Sequence, residues 1–466
     1  MLRSEPLRQV ATPEAFPAAG SYDVQQLITL TCTTPDARIH YTLDDRDPTP
    51  DSPVFDPYRL IPAVVGSEGD GRSERTTTIR AMAVARGMLE SEVASFEYRI
   101  CPRPKTAYIT RRIESGVVQI SDWDNDRMYV VSGTERALLI DAGFGTGDLV
   151  GLVERLVQGL PLDVVITHGH PDHVAQMGQF QDRCAIYMHA ADLPMAKLFQ
   201  ERMGFQYDLE RIKTVREGQI FDLGGRKLRV YEVPGHSAGS IVLLDEVSGL
   251  CFAGDAVGSN RPTITDAVWL QFPSAPAVDV ILSAWQVFRS KVAGKLTAIY
   301  TGHNGDALGE AYLDSLLEAA QQLVDRGVEV LVPSWRPVGV WQTVWGDRLT
   351  DPNWAAINVD RERCLSAPPE QIATLSNLEI LGGVLEPGFR PDCFRYRATL
   401  PAEGGQRVLT GTTTSRRASL KIKGIAAASG TPFELPSEPD ETSCALTVTA
   451  ADGRTQRVYT VELGRI

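Results

Sequence analysis

The chain is poor in the features that settle a protein's class quickly. Its seven cysteines, Cys32, Cys101, Cys184, Cys251, Cys364, Cys393 and Cys444, are dispersed, odd in number and never spaced Cys-x-x-Cys. That excludes a zinc ribbon and provides no disulfide framework, so reduced and mostly buried thiols are expected. The pairing of Cys393 with Cys444, both in the terminal segment, is left open. No apolar run approaches the roughly 18 residues that a membrane span needs. The opening residues, Met1 to Arg8, lack the apolar core of a signal peptide. A cytoplasmic location is therefore slightly favoured, with an extracellular one following if a leader has been removed. Positive charge is in deficit: 46 Lys and Arg against 59 Asp and Glu leave a formal net charge of -13. Neither nucleic acid nor an anionic membrane surface favours such a partner, so a small-molecule substrate is expected.

A length of 466 residues implies about three domains. Hydrophobic content of 43% with 23% charged residues is ordinary for a soluble globular protein. Residues 1–103 read as short strands between turns. Leu27 to Thr33 is β-branched and apolar, Arg38 to Leu43 alternates, and Asp44 to Pro57 is dense in turn-forming Asp and Pro. Thr76 to Ala85 and Ser95 to Ile100 resume the strand pattern, and a small β-sandwich is predicted.

Pro102 to Pro104 mark a linker, after which the organisation changes. Arg127 to Asp141 reads as a strand pair turning at Ser132-Gly133-Thr134. Beyond Gly143, Gly145 and Gly147, the residues Leu149, Leu152, Val153, Leu156 and Val157 form an amphipathic helical stripe that Pro161 ends. Val164-Val165-Ile166 is then a buried strand leading into His168. A looser second half follows the same logic: Leu228 to Val233 runs into His236, Leu250 to Ala253 into Asp255, and Ala298 to Tyr300 into His303, after a helix from about Ala277 to Val292. This is α/β organisation, with polar residues gathered where strands end. A Trp-rich connector is expected over 336–370, and residues 371–466 return to an all-β pattern in Asn377 to Gly383, Arg395 to Leu400, Ala445 to Thr449 and Arg457 to Leu463.

Histidine is scarce, yet five of its seven copies fall in one ordered set: His168, His170 and His173 in Thr-His-Gly-His-Pro-Asp-His, then His236 and His303. Asp172 and Asp255 complete it. Imidazole nitrogens and carboxylate oxygens are the ligands that a borderline divalent ion such as zinc prefers. Seven are too many for one tetrahedral ion and suit two ions sharing a carboxylate. His168 and His170, alternate residues of an extended stretch, can grip one ion. Asp172 and His173, past the Pro171 turn, can face its neighbour; His236 and His303 would each cap one site, and Asp255 would bridge. Zn2+ is the expected metal, two per chain, with iron or manganese as alternatives. The mechanism expected of such a centre is attack by a bridging hydroxide on a carbonyl or phosphoryl group. Asp172 and Asp255 are the expected catalytic residues, Asp172 also as a proton carrier. His40 and His189 are read as non-ligands, a place on the pocket wall being the alternative for His189.

These motifs, in this order over about residues 105 to 333, resemble the metallo-β-lactamase fold superfamily. The resemblance implies an αββα sandwich in which His168, His170 and His236 bind one zinc, Asp172, His173 and His303 the other, and Asp255 both. Asp141 fits the family's first motif and would orient the ligand loop. The ligand set is similar to the glyoxalase and lactonase side of the superfamily, since true β-lactamases lack the bridging aspartate. An ester, thioester or lactone carbonyl is thus the expected target. The alternatives are an iron-dependent oxidoreductase resembling persulfide dioxygenases, or a phosphodiester or β-lactam hydrolase. The phrases Ile39 to Asp44, Asp47 to Pro50 and Thr78 to Val84 resemble the fibronectin-like domain at the C-terminus of chitobiases and hexosaminidases. Leu378, Leu385 to Phe389 and Phe394-Arg395-Tyr396 resemble the cadherin-like sandwich. Both imply non-catalytic modules, and they are the candidate surfaces for self-association into a homo-oligomer. Trp335, Trp341, Trp345 and Trp354 cluster after the catalytic segment. Inter-domain packing is the favoured expectation for them; the alternative is that, with Trp269 or Phe272, they wall the pocket.

Overall fold

Within the central segment the strands carry apolar residues on both faces, as strands covered on both sides must. Their period of two sorts those residues into separate cores. The computed structural model describes residues 8–56, 60–64, 66, 73–260, 267–272, 274–334, 340–347, 350–400, 407–435 and 443–465; Pro57 and Trp335 lie outside them. A seven-stranded sheet runs in the order Lys213–Val215, Ala185–His189, Leu162–Val165, Ala137–Ile140, Arg127–Ser132, Val117–Ser121, Ile109–Glu114. Its first four strands pair in parallel and the remainder antiparallel. A five-stranded sheet runs Ile220–Asp222, Lys227–Glu232, Ile241–Asp245, Leu250–Gly254, Ala298–Thr301.

Tyr129, Val131, Leu138 and Ile140 of the first sheet meet Leu228, Val230, Leu243 and Phe252 of the second in one buried layer. The helices of the described residues are α1 (Leu149–Val157), α2 (Pro171–Val174), α3 (Leu193–Met203), α4 (Val278–Val292) and α5 (Glu310–Arg326). Met128, Val130 and Leu139, on the outer face of the first sheet, pack under α1. Val242, Leu244 and Cys251, on the outer face of the second, pack under α4 and α5. The layers are therefore α, β, β, α. α1 starts where Asp148 accepts a hydrogen bond from the Gly151 amide at 2.7 Å, as an N-cap does.

The described residues of 336–370 form sheet and not merely a connector. Trp341–Trp345 pairs antiparallel with Ala355–Val359, which pairs in parallel with Val268–Leu270, and the sheet lies on α5. Ala355, Ile357 and Val359 belong to the same core as α4 and α5.

The flanking segments are sandwiches. Sheets of three and four strands enclose Ile28, Ile79, Ala81 and Tyr98 near the N-terminus. Sheets of three and six strands enclose Leu375, Leu409, Leu446 and Tyr459 near the C-terminus. The C-terminal sandwich is fastened to the outer helices: Ser283 Oγ donates to the Ser376 carbonyl at 2.6 Å, and Asp325 accepts from the Arg416 amide at 2.9 Å. Among the described residues the cysteines are thiols rather than disulfides, Cys393 and Cys444 included. Among the described residues no helix is long and apolar enough to cross a membrane.

α4 and α5 also steady the turn after Asp255. Trp285 Nε1 donates to the Ala256 carbonyl at 3.0 Å and Tyr312 Oη to the Val257 carbonyl at 2.8 Å. Both donors are fully buried. Tyr312→Phe leaves the Val257 carbonyl without its partner and is expected to cost about 1–3 kcal/mol in denaturant unfolding. A change under about 0.3 kcal/mol sinks this account of the turn.

Candidate metal centre

Each residue of the histidine and aspartate set lies on the rim where strands of the two sheets end. Asp141 follows Ala137–Ile140, His168 follows Leu162–Val165, His236 follows Lys227–Glu232, Asp255 follows Leu250–Gly254 and His303 follows Ala298–Thr301. The rim collects them into two groups, His168 with His170 and His236, and Asp172 with His173, Asp255 and His303.

In the first group, His170 Nδ1 lies 3.1 Å from His168 Nε2 and 2.7 Å from His236 Nε2. Three ring nitrogens thus converge on one point. His170 has extended backbone (φ -72°, ψ 155°) and precedes α2, so its ring turns back toward His168. In the second group His303 Nε2 stands 3.0 Å from Asp255 Oδ2 and 3.3 Å from Asp172 Oδ2. Asp255 Oδ2 also lies 3.6 Å from His236 Nε2, which puts this carboxylate between the two groups.

Burial and the neighbouring imidazoles push His168 well below its ordinary range, and His170 down to about 3. Burial lowers His236 as well. These three are neutral donors, as metal ligation requires. At His173 and His303 burial acts in the same direction but is overcome by the carboxylates of Asp126, Asp141, Asp172 and Asp255, which hold both well above the ordinary value. A concentration of buried negative charge this high calls for positive charge beside it. His173 Nε2 and Asp255 Oδ1 are buried 3.7 Å apart, and neither has a hydrogen-bond partner. Opposed orphan atoms of these types, amid depressed imidazoles and crowded carboxylates, fit a divalent cation. Gly302 is needed here for space, since a Cβ would stand 2.3 Å from Asp255 Oδ1 and 2.7 Å from His173 Cε1.

A ring of further residues orients the site. Asp141, at φ 63°, accepts from the Thr167 amide at 2.7 Å and the Thr167 hydroxyl at 2.8 Å. Its Oδ2 lies 2.8 Å from His173 Nδ1, which turns Nε2 toward the other ligands. His236 Nδ1 lies 3.0 Å from the Trp269 carbonyl and His303 Nδ1 3.3 Å from Asp126 Oδ1. Asp126 was not anticipated, nor was Asp192. The latter, fully buried, accepts from the Gly169 amide at 2.7 Å, the Ser237 hydroxyl at 2.6 Å and the Gly239 amide at 2.6 Å. It ties the His168–His173 loop to the His236 loop. In the sequence Asp192 precedes Leu193-Pro194 and signals only a helix start.

A cavity of about 510 Å³ opens onto these side chains, with His170, Asp172, His236, Asp255 and His303 in its lining. Met195, Leu198, Phe199 and Arg202, at helical spacings on one face of α3, make one wall; Trp269 and Phe272 belong to the other. The Phe199 ring lies 5.8 Å from His170 and the Phe272 ring 5.3 Å. Trp341, Trp345 and Trp354 do not line it: Trp345 is 41% exposed, Trp341 stacks on Arg361, and Trp354 is buried behind Trp269. His189 is absent from the lining and pairs with Glu232 at 3.2 Å. His40 is buried in the N-terminal sandwich, its Nδ1 2.9 Å from the Ser52 carbonyl.

Fold, rim and ligand order together define a class, and comparison with known proteins agrees. Residues 122–335 match the metallo-beta-lactamase superfamily model, residues 17–95 the chitobiase/beta-hexosaminidase C-terminal domain, and residues 374–466 the cadherin-like beta sandwich domain. The chain belongs to the metallo-β-lactamase superfamily through its central domain, and it is a hydrolase. It is 28% identical to the acyl-coenzyme A thioesterase MBLAC2 of Gallus gallus, over 38% of this chain and 71% of that protein. The Homo sapiens MBLAC2 is 29% identical, and this chain spans only 57% of its length. The uncharacterized protein Rv2581c of Mycobacterium tuberculosis is 30% identical, over 29% of this chain and 67% of that one. Among solved structures, a metallo-beta-lactamase from Pontibacter korlensis aligns at TM-score 0.38 and 18% identity, covering 46% of this chain and 99% of that one.

Asp141→Asn keeps the volume but removes the carboxylate that orients His173. It is expected to weaken metal affinity by about 10–100-fold in competition with a fluorescent chelator. Unchanged affinity would show that Asp141 acts only on the backbone of Thr167.

Proposed function

We propose that the chain is a two-metal thioesterase acting on apolar acyl thioesters, with zinc as the metal. One observation carries this reading: the two ligand groups form the floor of a cavity whose walls are apolar and aromatic. The thioesterase activity named for the animal relatives supports the choice of thioester among carbonyl substrates.

In this reading His168, His170 and His236 would hold one ion and Asp172, His173 and His303 the second, with Asp255 available to both. Ions held there would supply Lewis acidity and lower the pKa of water toward neutrality. The protein's own residues do the rest. Asp141, Asp126 and the Trp269 carbonyl fix which nitrogen of His173, His303 and His236 faces the centre. Phe199, Trp269 and Phe272 take up the acyl chain and exclude water from the carbonyl. Asp172 lines the cavity with a side chain 25% exposed, against 12% for Asp255. Its carboxylate is therefore placed to carry a proton from the attacking water toward the departing thiolate.

Elemental analysis of purified protein is expected to find about two zinc ions per chain. A single iron would favour the oxidoreductase alternative. His168→Ala and Asp255→Ala are each expected to lose metal, and with it turnover by about a thousandfold or more. Full turnover in either variant ends the proposed mechanism. In a screen over thioesters, esters, lactones, phosphodiesters and β-lactams, acyl thioesters should show the highest kcat/KM; preference for another class replaces the substrate assignment.

Trp269→Ala and Phe272→Ala should each lower kcat/KM for a ten-carbon acyl thioester by roughly tenfold relative to acetyl. Trp345→Ala, away from the cavity, should leave that ratio alone. Equal loss on both chain lengths removes the two rings from chain selection.

A further inference from the structure

A second cavity, about 500 Å³ and free of any metal-site residue, is lined by Lys105, Trp123, Phe144, Met203, Phe205 and Gln206 among others. Its walls are aromatic. The Phe144 ring lies 5.8 Å from Trp123 and 6.1 Å, edge-on, from Phe205. Lys105 Nζ lies 5.6 Å from the Trp123 ring and is the one charged group in the lining among the described residues.

The two cavities share their supporting helices. Arg202 lines the first and the next residue, Met203, lines the second; Asp172 of α2 lines the first, and Ala175 at its end lines the second. α3 buries only Ala196, and its Leu198 and Met203 are 41% and 46% exposed, one beside each cavity. Among the described residues Arg202 is the lone Lys or Arg in the lining of the first cavity, and it sits one helical turn beyond Phe199, whose ring lies 5.8 Å from His170. From the ligands outward the surface therefore reads apolar wall, cation, then aromatic cleft with a second cation.

Stacking faces, a carboxamide edge and a lysine are what a purine carrying a phosphate requires. We propose that the second cavity binds the adenosine 3′-phosphate end of a coenzyme A thioester, with Arg202 meeting the diphosphate between the two cavities. This rests on the thioesterase reading above and extends it from the acyl group to the leaving group: the cleaved thiol is held by its nucleotide, and specificity for coenzyme A resides in residues remote from the metal ligands.

Two measurements on the full chain test it. Adenosine 3′,5′-bisphosphate should bind with a measurable Kd by titration calorimetry. Lys105→Ala and Phe205→Ala should each weaken it about tenfold, and Lys105→Arg should retain it. Separately, kcat/KM for decanoyl-coenzyme A should exceed that for the decanoyl thioester of N-acetylcysteamine, which lacks the nucleotide, by about tenfold or more, and Lys105→Ala should shrink that ratio. Nucleotide binding in a protein that cleaves no thioester supports the subsite and overturns the thioesterase reading. Equal turnover of both thioesters with no nucleotide binding overturns the subsite and leaves that reading standing. Binding that neither variant weakens also overturns it.

Discussion

Carboxylates packed together away from water are the constraint to which the central domain answers. Asp126, Asp141, Asp192 and Asp255 are all buried around the rim, and Asp172 stands at its edge. Each would lose several kcal/mol if left unpaired there. Asp192 is compensated by two amides and a hydroxyl, and Asp141 by an amide, a hydroxyl and His173. Among the described residues Asp172 and Asp255 are paired only with imidazoles, and burial, which favours their neutral forms, is overcome by His173 and His303. The remaining negative charge is what a cation pair would neutralise. Loops that spring from different strands are thereby coupled, since a shift in one exposes charge in another.

The layers beyond the rim hold this arrangement at a distance. α4 and α5 bury the outer face of the second sheet and also bond to the turn after Asp255 through Trp285 and Tyr312. The added sheet over 341–359 pairs with Val268–Leu270, the strand that presents Trp269 to the cavity and whose carbonyl steadies His236. The C-terminal sandwich grips the same two helices through Ser283, Gln321 and Asp325. On the other side, Arg103 after the N-terminal sandwich pairs with Asp23 at 2.8 Å and donates to the Asp122 carbonyl at 2.6 Å. Asp122 in turn accepts from the Asp126 and Phe144 amides. The accessory domains are thus joined to the elements that position the candidate ligands, although neither lines the cavity among the described residues.

Much of this could be read from the chain because period and order are local properties. The strand pair over Arg127 to Asp141, the helical stripe from Leu149 to Val157 and the placing of His168, His236, Asp255 and His303 after apolar runs all survive folding. The strand character of Trp341–Trp345 was missed because large aromatic residues suit packing and pairing equally. Asp192 and Asp126 were missed because their partners are 23 or more residues away. The cavity wall from α3 was missed because an exposed face with Leu198, Phe199 and Arg202 looks like ordinary helix surface.

Residue types and their sequence determined the chemistry available: nitrogen and oxygen donors in a set of seven, preceded by strands apolar enough to be buried. Tertiary structure decided which donors share a point, which carboxylate lies between the groups, and what surrounds them. The reason is physical. Donor identity is carried by each side chain, whereas the 2.7 Å approach of His170 to His236 joins loops 66 residues apart and exists only once two sheets have packed face to face.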